Sequence, residues 1–184
     1  MSVEIPGYVV GTWTIDPGHS EVGFTVRHFG VSKVKGRFDK FEGTIVTAED
    51  PLSSTVSATV DVASINTNQE QRDAHIRSAD FFDAENHPTL TFVSTGIKEK
   101  GGDYLLEGDL TIRGNTKPVA LKLEHNGFGP DAYGGTRVGF TATGEINRSD
   151  FGVTFNGPVP GVPGGVVVSE KVTITLEIEG MLQA

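Results

Sequence analysis

The sequence predicts an all-β chain whose strands close into an extended eight-stranded antiparallel β-barrel, with one short helix near an opening. Three observations support this class. Apolar and polar residues alternate with period two almost throughout, turn residues cut the chain into about eight runs, and several runs exceed ten residues. Strands of that length twist and curl, and closing the sheet removes both of its edges. A two-sheet sandwich is the competing architecture. One core suffices for 184 residues, so a single domain over 1–184 is expected.

The runs lie near 11–29, 33–48, 55–65, 88–97, 103–113, 117–128, 135–148 and 166–180. In the first, Val22, Phe24, Val26 and His28 point one way and Glu21, Thr25 and Arg27 the other. In the third, Val56, Ala58, Val60 and Val62 alternate with Ser57, Thr59 and Asp61. Lys100-Gly101-Gly102-Asp103 reads as a hairpin tip and the stretch 129–135 as a longer one. Val138, Phe140, Ala142 and Ile146 share a parity. Segment 156–168, rich in Gly and Pro, reads as a long connection over one rim. The last run sets Val172, Ile174, Leu176 and Ile178 inside and Lys171, Thr173, Thr175, Glu177 and Glu179 outside, the one-wet-face pattern of antiparallel sheets.

An eight-stranded barrel can enclose one small ligand. Parity nominates Val22, Phe24, Val26, His28, Phe38, Val60, Phe92, Leu106, Leu121, Phe140 and Ile174 as its inner wall. The same alternation fits a filled core.

Between Ile65 and Phe92 lies the one stretch that reads as helix, expected over about 68–79. Thr67-Asn68-Gln69-Glu70 has the form of a capping box, and Asp73 stands four residues before Arg77 in the favourable order for an ion pair. Only Ala74, Ile76 and Ala79 are apolar, so the helix is marginal alone and must lie across something, with Phe81-Phe82 as its anchor. Two residues apart on a helix, Asp73 and His75 diverge, which spoils an Asp–His relay. Arg72 and His75 share a face and could contact a polar head group; a solvated helix surface is the plainer reading. The segment therefore reads as a lid.

Composition excludes several classes. Fifteen Lys and Arg stand against 24 Asp and Glu, a formal charge of −9 without a basic run, which argues against a nucleic-acid partner and for weak attraction to anionic membranes. Absence of cysteine removes disulfides, thiolate metal sites and thiol catalysis. No apolar run of membrane-spanning length occurs, so integral membrane association is not expected. The N-terminal residues lack the charged and apolar regions of a secretion signal, which makes a cytoplasmic location the expectation. His19-Ser20 suggests a nucleophile and base on paper, but Asp16-Pro17-Gly18 before it reads as a turn, and no nucleophile elbow occurs. No paired-histidine metal spacing and no phosphate-cradling glycine loop is found, so neither metal nor cofactor is expected. Arg148 is expected to tie down a rim loop.

Trp13-Thr14-Ile15-Asp16-Pro17-Gly18-His19-Ser20, followed by Val22, Phe24, Val26, Arg27 and His28, resembles the opening of YceI-like proteins, the polyisoprenoid-binding family. So do Gly36-Arg37-Phe38, Phe41-Glu42-Gly43, the run Val60 to Ile65 leading into Arg72-Asp73 and His75, and Asp80-Phe81-Phe82-Asp83. Pro88 to Phe92, Gly108 to Gly114 and Ile146 to Gly152 continue the likeness, which extends from Trp13 to about Leu176. The resemblance implies a lipocalin-like barrel holding an isoprenoid chain, such as a quinone tail or polyprenyl phosphate, in an apolar tunnel. It carries no enzymatic activity with it. Many relatives are exported with a signal peptide, and this chain departs from them there.

Two functions follow. The first is a carrier or store for a long-chain isoprenoid amphiphile, with that lipid as partner and a homodimer left open. The second is an enzyme acting on a similar lipid, with His75, His28 or His19 as general base beside an acid such as Asp73.

Overall fold

A computed structural model describes residues 5–28, 31–156 and 168–183. Its strands are β1 (Gly11–Ile15), β2 (Glu21–His28), β3 (Ser32–Phe38), β4 (Phe41–Thr47), β5 (Thr55–Asp61), β6 (Ile65–Asn66), β7 (Thr89–Lys100), β8 (Asp103–Ile112), β9 (Asn115–Pro130), β10 (Thr136–Asn147) and β11 (Lys171–Leu182). One helix, α1 (Glu70–Arg77), interrupts them. All pairings are antiparallel, in the order β1-β4-β5-β7-β8-β9-β10-β11. The ring closes where β1 returns to β11, with Trp13 opposite Leu182 and Ile15 opposite Gly180. Closure rules out the sandwich.

The first three predicted runs are each broken once, and β2, β3 and β6 carry the wall onward beyond the break. Run 11–29 bends through a single-turn helix at Pro17–His19, where Asp16 accepts from the Gly18 N–H at 3.0 Å. Run 33–48 breaks at Asp39-Lys40, and run 55–65 at Val62–Ser64, where Asp61 accepts from the Ala63 N–H at 3.0 Å. At the first and third of these bends a short Asp side chain binds its own backbone two residues on, turning the chain without ending the strand run. At one end of the barrel lie the N-terminal segment, the turn at 51–54 and the tips at 101–102 and 131–135; at the other lie the β2–β3 hairpin, α1 and the stretch 148–156. The rim connection expected at 156–168 falls almost wholly outside the described residues.

Two of the buried clusters lie towards the two ends of the barrel. Trp13, Ile15, Ile45 and Val138 form one cluster, with Trp13 fully buried and its Nε1–H donating to Thr47 Oγ1 at 2.8 Å. Phe81, Leu110, Ile112, Phe151 and Val153 form the cluster at the helix end.

Three expectations about the helix need correction. It spans Glu70–Arg77 rather than 68–79, because Asn68 takes a left-handed backbone (φ 65°) and cannot be helical. Gln69, not Thr67, is the N-cap, its side chain accepting from the Arg72 N–H at 2.8 Å. Arg77 pairs with Glu70 at 2.7 Å rather than with Asp73. Asp73 is instead buried, accepting from the Thr67 N–H at 2.9 Å and from the Thr67 hydroxyl. The apolar stripe is thinner still than predicted: Ala74 and Ala79 are exposed, and only Ile76 packs inward. The anchor is where the sequence placed it, with Phe81 buried and Phe82 edge-on to Phe38 at 5.9 Å.

Candidate functional site

The barrel is hollow. A cavity of about 620 Å³ runs along its axis, walled almost entirely by aliphatic and aromatic side chains. That volume sits within the ~300–1,000 Å³ of ordinary ligand pockets. All eleven residues nominated by parity line it: Val22, Phe24, Val26, His28, Phe38, Val60, Phe92, Leu106, Leu121, Phe140 and Ile174. Many are only half-buried although they point inward, since part of each side chain faces the lumen rather than a neighbour.

Local sequence keeps the lumen open. Phe24 pairs across the strands with Gly36, and a Cβ on Gly36 would lie 2.3 Å from the Phe24 ring. Phe92 covers Gly108 in the same way, at 2.4 Å. The far end of each ring lies over a missing side chain, so the bulk of Phe24 and Phe92 lies along the wall instead of filling the centre.

Polar groups gather where the cavity meets α1. Gln69, Gln71, Arg72 and His75 line it there, and the two glutamines and His75 also reach solvent, so this is its mouth. Arg72 is held in place: its Nε–H donates to Thr67 Oγ1 at 2.8 Å and a terminal N–H to the Thr67 carbonyl at 2.6 Å. His75 Nε2 lies 2.8 Å from Asp80, and its ring stands edge-on to Phe81 and Phe155 at 5.1 and 5.0 Å. Its acidic partner is thus Asp80, while Asp73 faces the other way into the fold. Both proposed head-group residues are at the mouth, about one helical turn apart.

Arg148 is 6% exposed and donates to four main-chain carbonyls, those of Val153, Phe155, Val168 and Ser169, at 2.9–3.2 Å. Burial holds its guanidinium below its ordinary value. It ties together the two described stretches that flank 157–167.

One polar group near the opposite end was not singled out from the sequence. His125 lines the cavity between Phe128 and Phe140, with ring centroids at 4.8 and 5.6 Å. Its Nε2 is buried without a hydrogen-bond partner among the described residues, and burial lowers its pKa. The signal was available: Leu121, Leu123 and His125 share an inward parity against Lys122, Glu124 and Asn126.

The His19–Ser20 pair does not assemble. His19 Nδ1 lies 2.8 Å from Asp16, and Ser20 Oγ is taken up by the Glu179 backbone, accepting from its N–H at 2.9 Å. Asp16, His19 and Glu179 bring three metal-capable atoms within 4.8 Å of one another. Arg137 already occupies that place, 2.7 Å from Asp16 and 3.2 Å from Glu179, and it reaches Asp131 at 3.1 Å. The cluster is an ion-pair network on the outer wall.

The YceI-like domain family matches residues 13–180. The chain belongs to that family. It is 39% identical over 178 residues to a UPF0312 protein of Vibrio cholerae serotype O1, covering 95% of this chain and 86% of that one. With Protein YceI of Escherichia coli O17:K52:H18 the identity is 39% over 167 residues, covering 90% and 83%. Among solved structures, Burkholderia cenocepacia BcnA superposes with a TM-score of 0.77 at 25% identity, covering 90% of this chain and 98% of that one. A polyisoprenoid binding domain from Saccharophagus degradans shares the fold, with a TM-score of 0.69 at 16% identity over 95% and 100% of the two chains. The eight-stranded closed barrel is therefore the family architecture. Among the described residues, no helix is long and apolar enough to cross a membrane.

Proposed function

We propose that this chain binds a long-chain isoprenoid amphiphile, an isoprenoid quinone or polyprenyl phosphate, and carries or stores it with the tail in the barrel and the head at the α1 mouth. The observation that carries the proposal is a hollow, apolar lumen of about 620 Å³ with a cluster of polar side chains, Gln69, Gln71, Arg72 and His75, where it meets α1. The binding named for the Saccharophagus degradans domain, which shares this fold, supports the same ligand class. A tail that buries some hundreds of Å² at about 25 cal/mol per Å² offsets the costs of ordering it. That Arg72, fixed by Thr67, and His75 both line the cavity at this end supports them as contacts of the head.

The test is gentle native mass spectrometry of the purified protein, followed by organic extraction and reloading. A prenyl or acyl lipid is expected in the extract, and the emptied protein should take up an offered long-chain quinone or polyprenol. Gly36→Ala, which drives the Phe24 ring into the lumen, should weaken uptake about tenfold while thermal unfolding still shows a folded barrel. An empty protein that takes up neither lipid overturns the proposal. Turnover of the offered lipid that His75→Ala abolishes while binding survives would make the protein an enzyme instead.

A further inference from the structure

We propose that the outer face of the β2–β3 hairpin is a docking surface for an anionic lipid bilayer. Arg27, Lys33, Lys35 and Arg37 take the outward parity here, while Val22, Phe24, Val26 and Val34 line the cavity, which Arg27 also borders at the rim. Register sets Arg27 directly across from Lys33, and Lys35 across from Thr25. Like charges facing one another weaken a strand pair rather than hold it, so packing of the barrel does not account for this ladder. Arg37 is paired with Asp39 at 2.8 Å; Arg27, Lys33 and Lys35 are exposed and form no ion pair among the described residues. From 22 to 37 the chain has four cations and no carboxylate, in a protein of net charge −9. The local field is therefore opposite in sign to the average.

A second observation comes from the turn. Val31 is 86% exposed, close to the cations of both strands. An apolar tip flanked by Lys and Arg suits the interface of a bilayer, where the side chain enters the headgroup region and the cations meet anionic lipid. The acids at this end, Glu70, Asp80, Asp83, Glu85, Asp150 and Glu170, belong to α1, to the segment after it and to the stretches that flank 157–167, and not to the hairpin. Because the inner face of the same hairpin is cavity wall, docking would bring the rim of the lumen against the bilayer.

Flotation of the full chain with vesicles tests this, using phosphatidylglycerol and phosphatidylcholine in equal parts against phosphatidylcholine alone. Binding is expected only to the anionic vesicles, and should vanish in about 1 M salt, where the screening length falls to ~3 Å. Each cation removed should weaken binding about fivefold, so the triple variant Arg27→Gln, Lys33→Gln, Lys35→Gln should lose about 100-fold. Val31→Asp should lose at least as much as one cation, and circular dichroism should show both variants folded. Absence of binding, equal binding to neutral vesicles, or no loss in the variants overturns the proposal. The vesicles contain no isoprenoid, so this result is independent of whether the lumen takes up such a lipid.

Discussion

Asp16 stands at the bend between β1 and β2, and its carboxylate gathers His19, Arg137 and the Gly18 N–H. The His19 contact first, then Arg137, hold its pKa down from 3.8 to about 2. A carboxyl depressed on folding adds stability above its unfolded value, and that contribution is lost as pH falls through the folded one. His19 works in the opposite sense: Asp16 and then Glu179 raise it above 6.5, so its contribution is present below 6.5 and lost as pH rises through the raised value. Arg137→Gln should lower stability modestly at pH 7, since it leaves a partly exposed network short of its cation. Near pH 2 Asp16 is already about half protonated in the parent protein, and the difference should shrink to a small part of its value at pH 7. Urea unfolding across pH measures it; a gap unchanged from pH 7 to 2 would mean Arg137 acts through packing alone. His125 adds an acid sensitivity of its own, because burial lowers its pKa and the unfolded chain protonates first.

At the scale of elements, α1 shows how polar groups can seat a helix that lacks an apolar face. Its buried contacts are Asp73 on Thr67 and the side chain of Ile76, and the Phe81-Phe82 pair pins the chain just beyond it. Its presence and rough position were legible from the unbroken polar stretch after Ile65. Its cap was not, since a capping-box pattern does not reveal that Asn68 turns left-handed and frees Thr67 for Asp73 and Arg72. The stretch 148–156 depends on one residue. Replacing Arg148 by Met keeps its volume but removes the donor to the carbonyls of Val153, Phe155 and Ser169, while Val168 keeps the Asn156 amide, and should cost about 3 kcal/mol. Calorimetry gives that loss, and hydrogen exchange should localise it to residues near 153–155 and 168–169. A loss under 1 kcal/mol would mean that water replaces the guanidinium.

For the whole molecule, the consequence of a hollow centre is stability that waits on a ligand. Inward side chains that are only half-buried have not gained the packing contacts of a filled core. Anything that fills the lumen of the folded state alone stabilises it by mass action, about 2.7 kcal/mol at a hundredfold excess over Kd. For a domain of this size that corresponds to roughly 5–10 °C in Tm. Extraction of lipid should lower Tm by that amount and reloading should restore it. A Tm indifferent to extraction would mean that the lumen was empty throughout.

The amino-acid sequence by itself determined the strand runs, the inward set and the all-β class, because a side-chain period of two writes the two faces of a sheet directly into neighbouring residues. It also determined the anchor after the helix, where two adjacent phenylalanines need burial whatever surrounds them. Tertiary structure alone decided that the runs close, that the lumen is open and which acid meets which histidine. Those depend on partners far apart in the chain. Trp13 meets Leu182 across the closing seam, Arg148 meets carbonyls on both sides of a long connection, and the Phe24 ring stays out of the lumen because Gly36 lies beneath it. Alternation specifies that a residue points inward; only the distance across the barrel specifies whether anything meets it there.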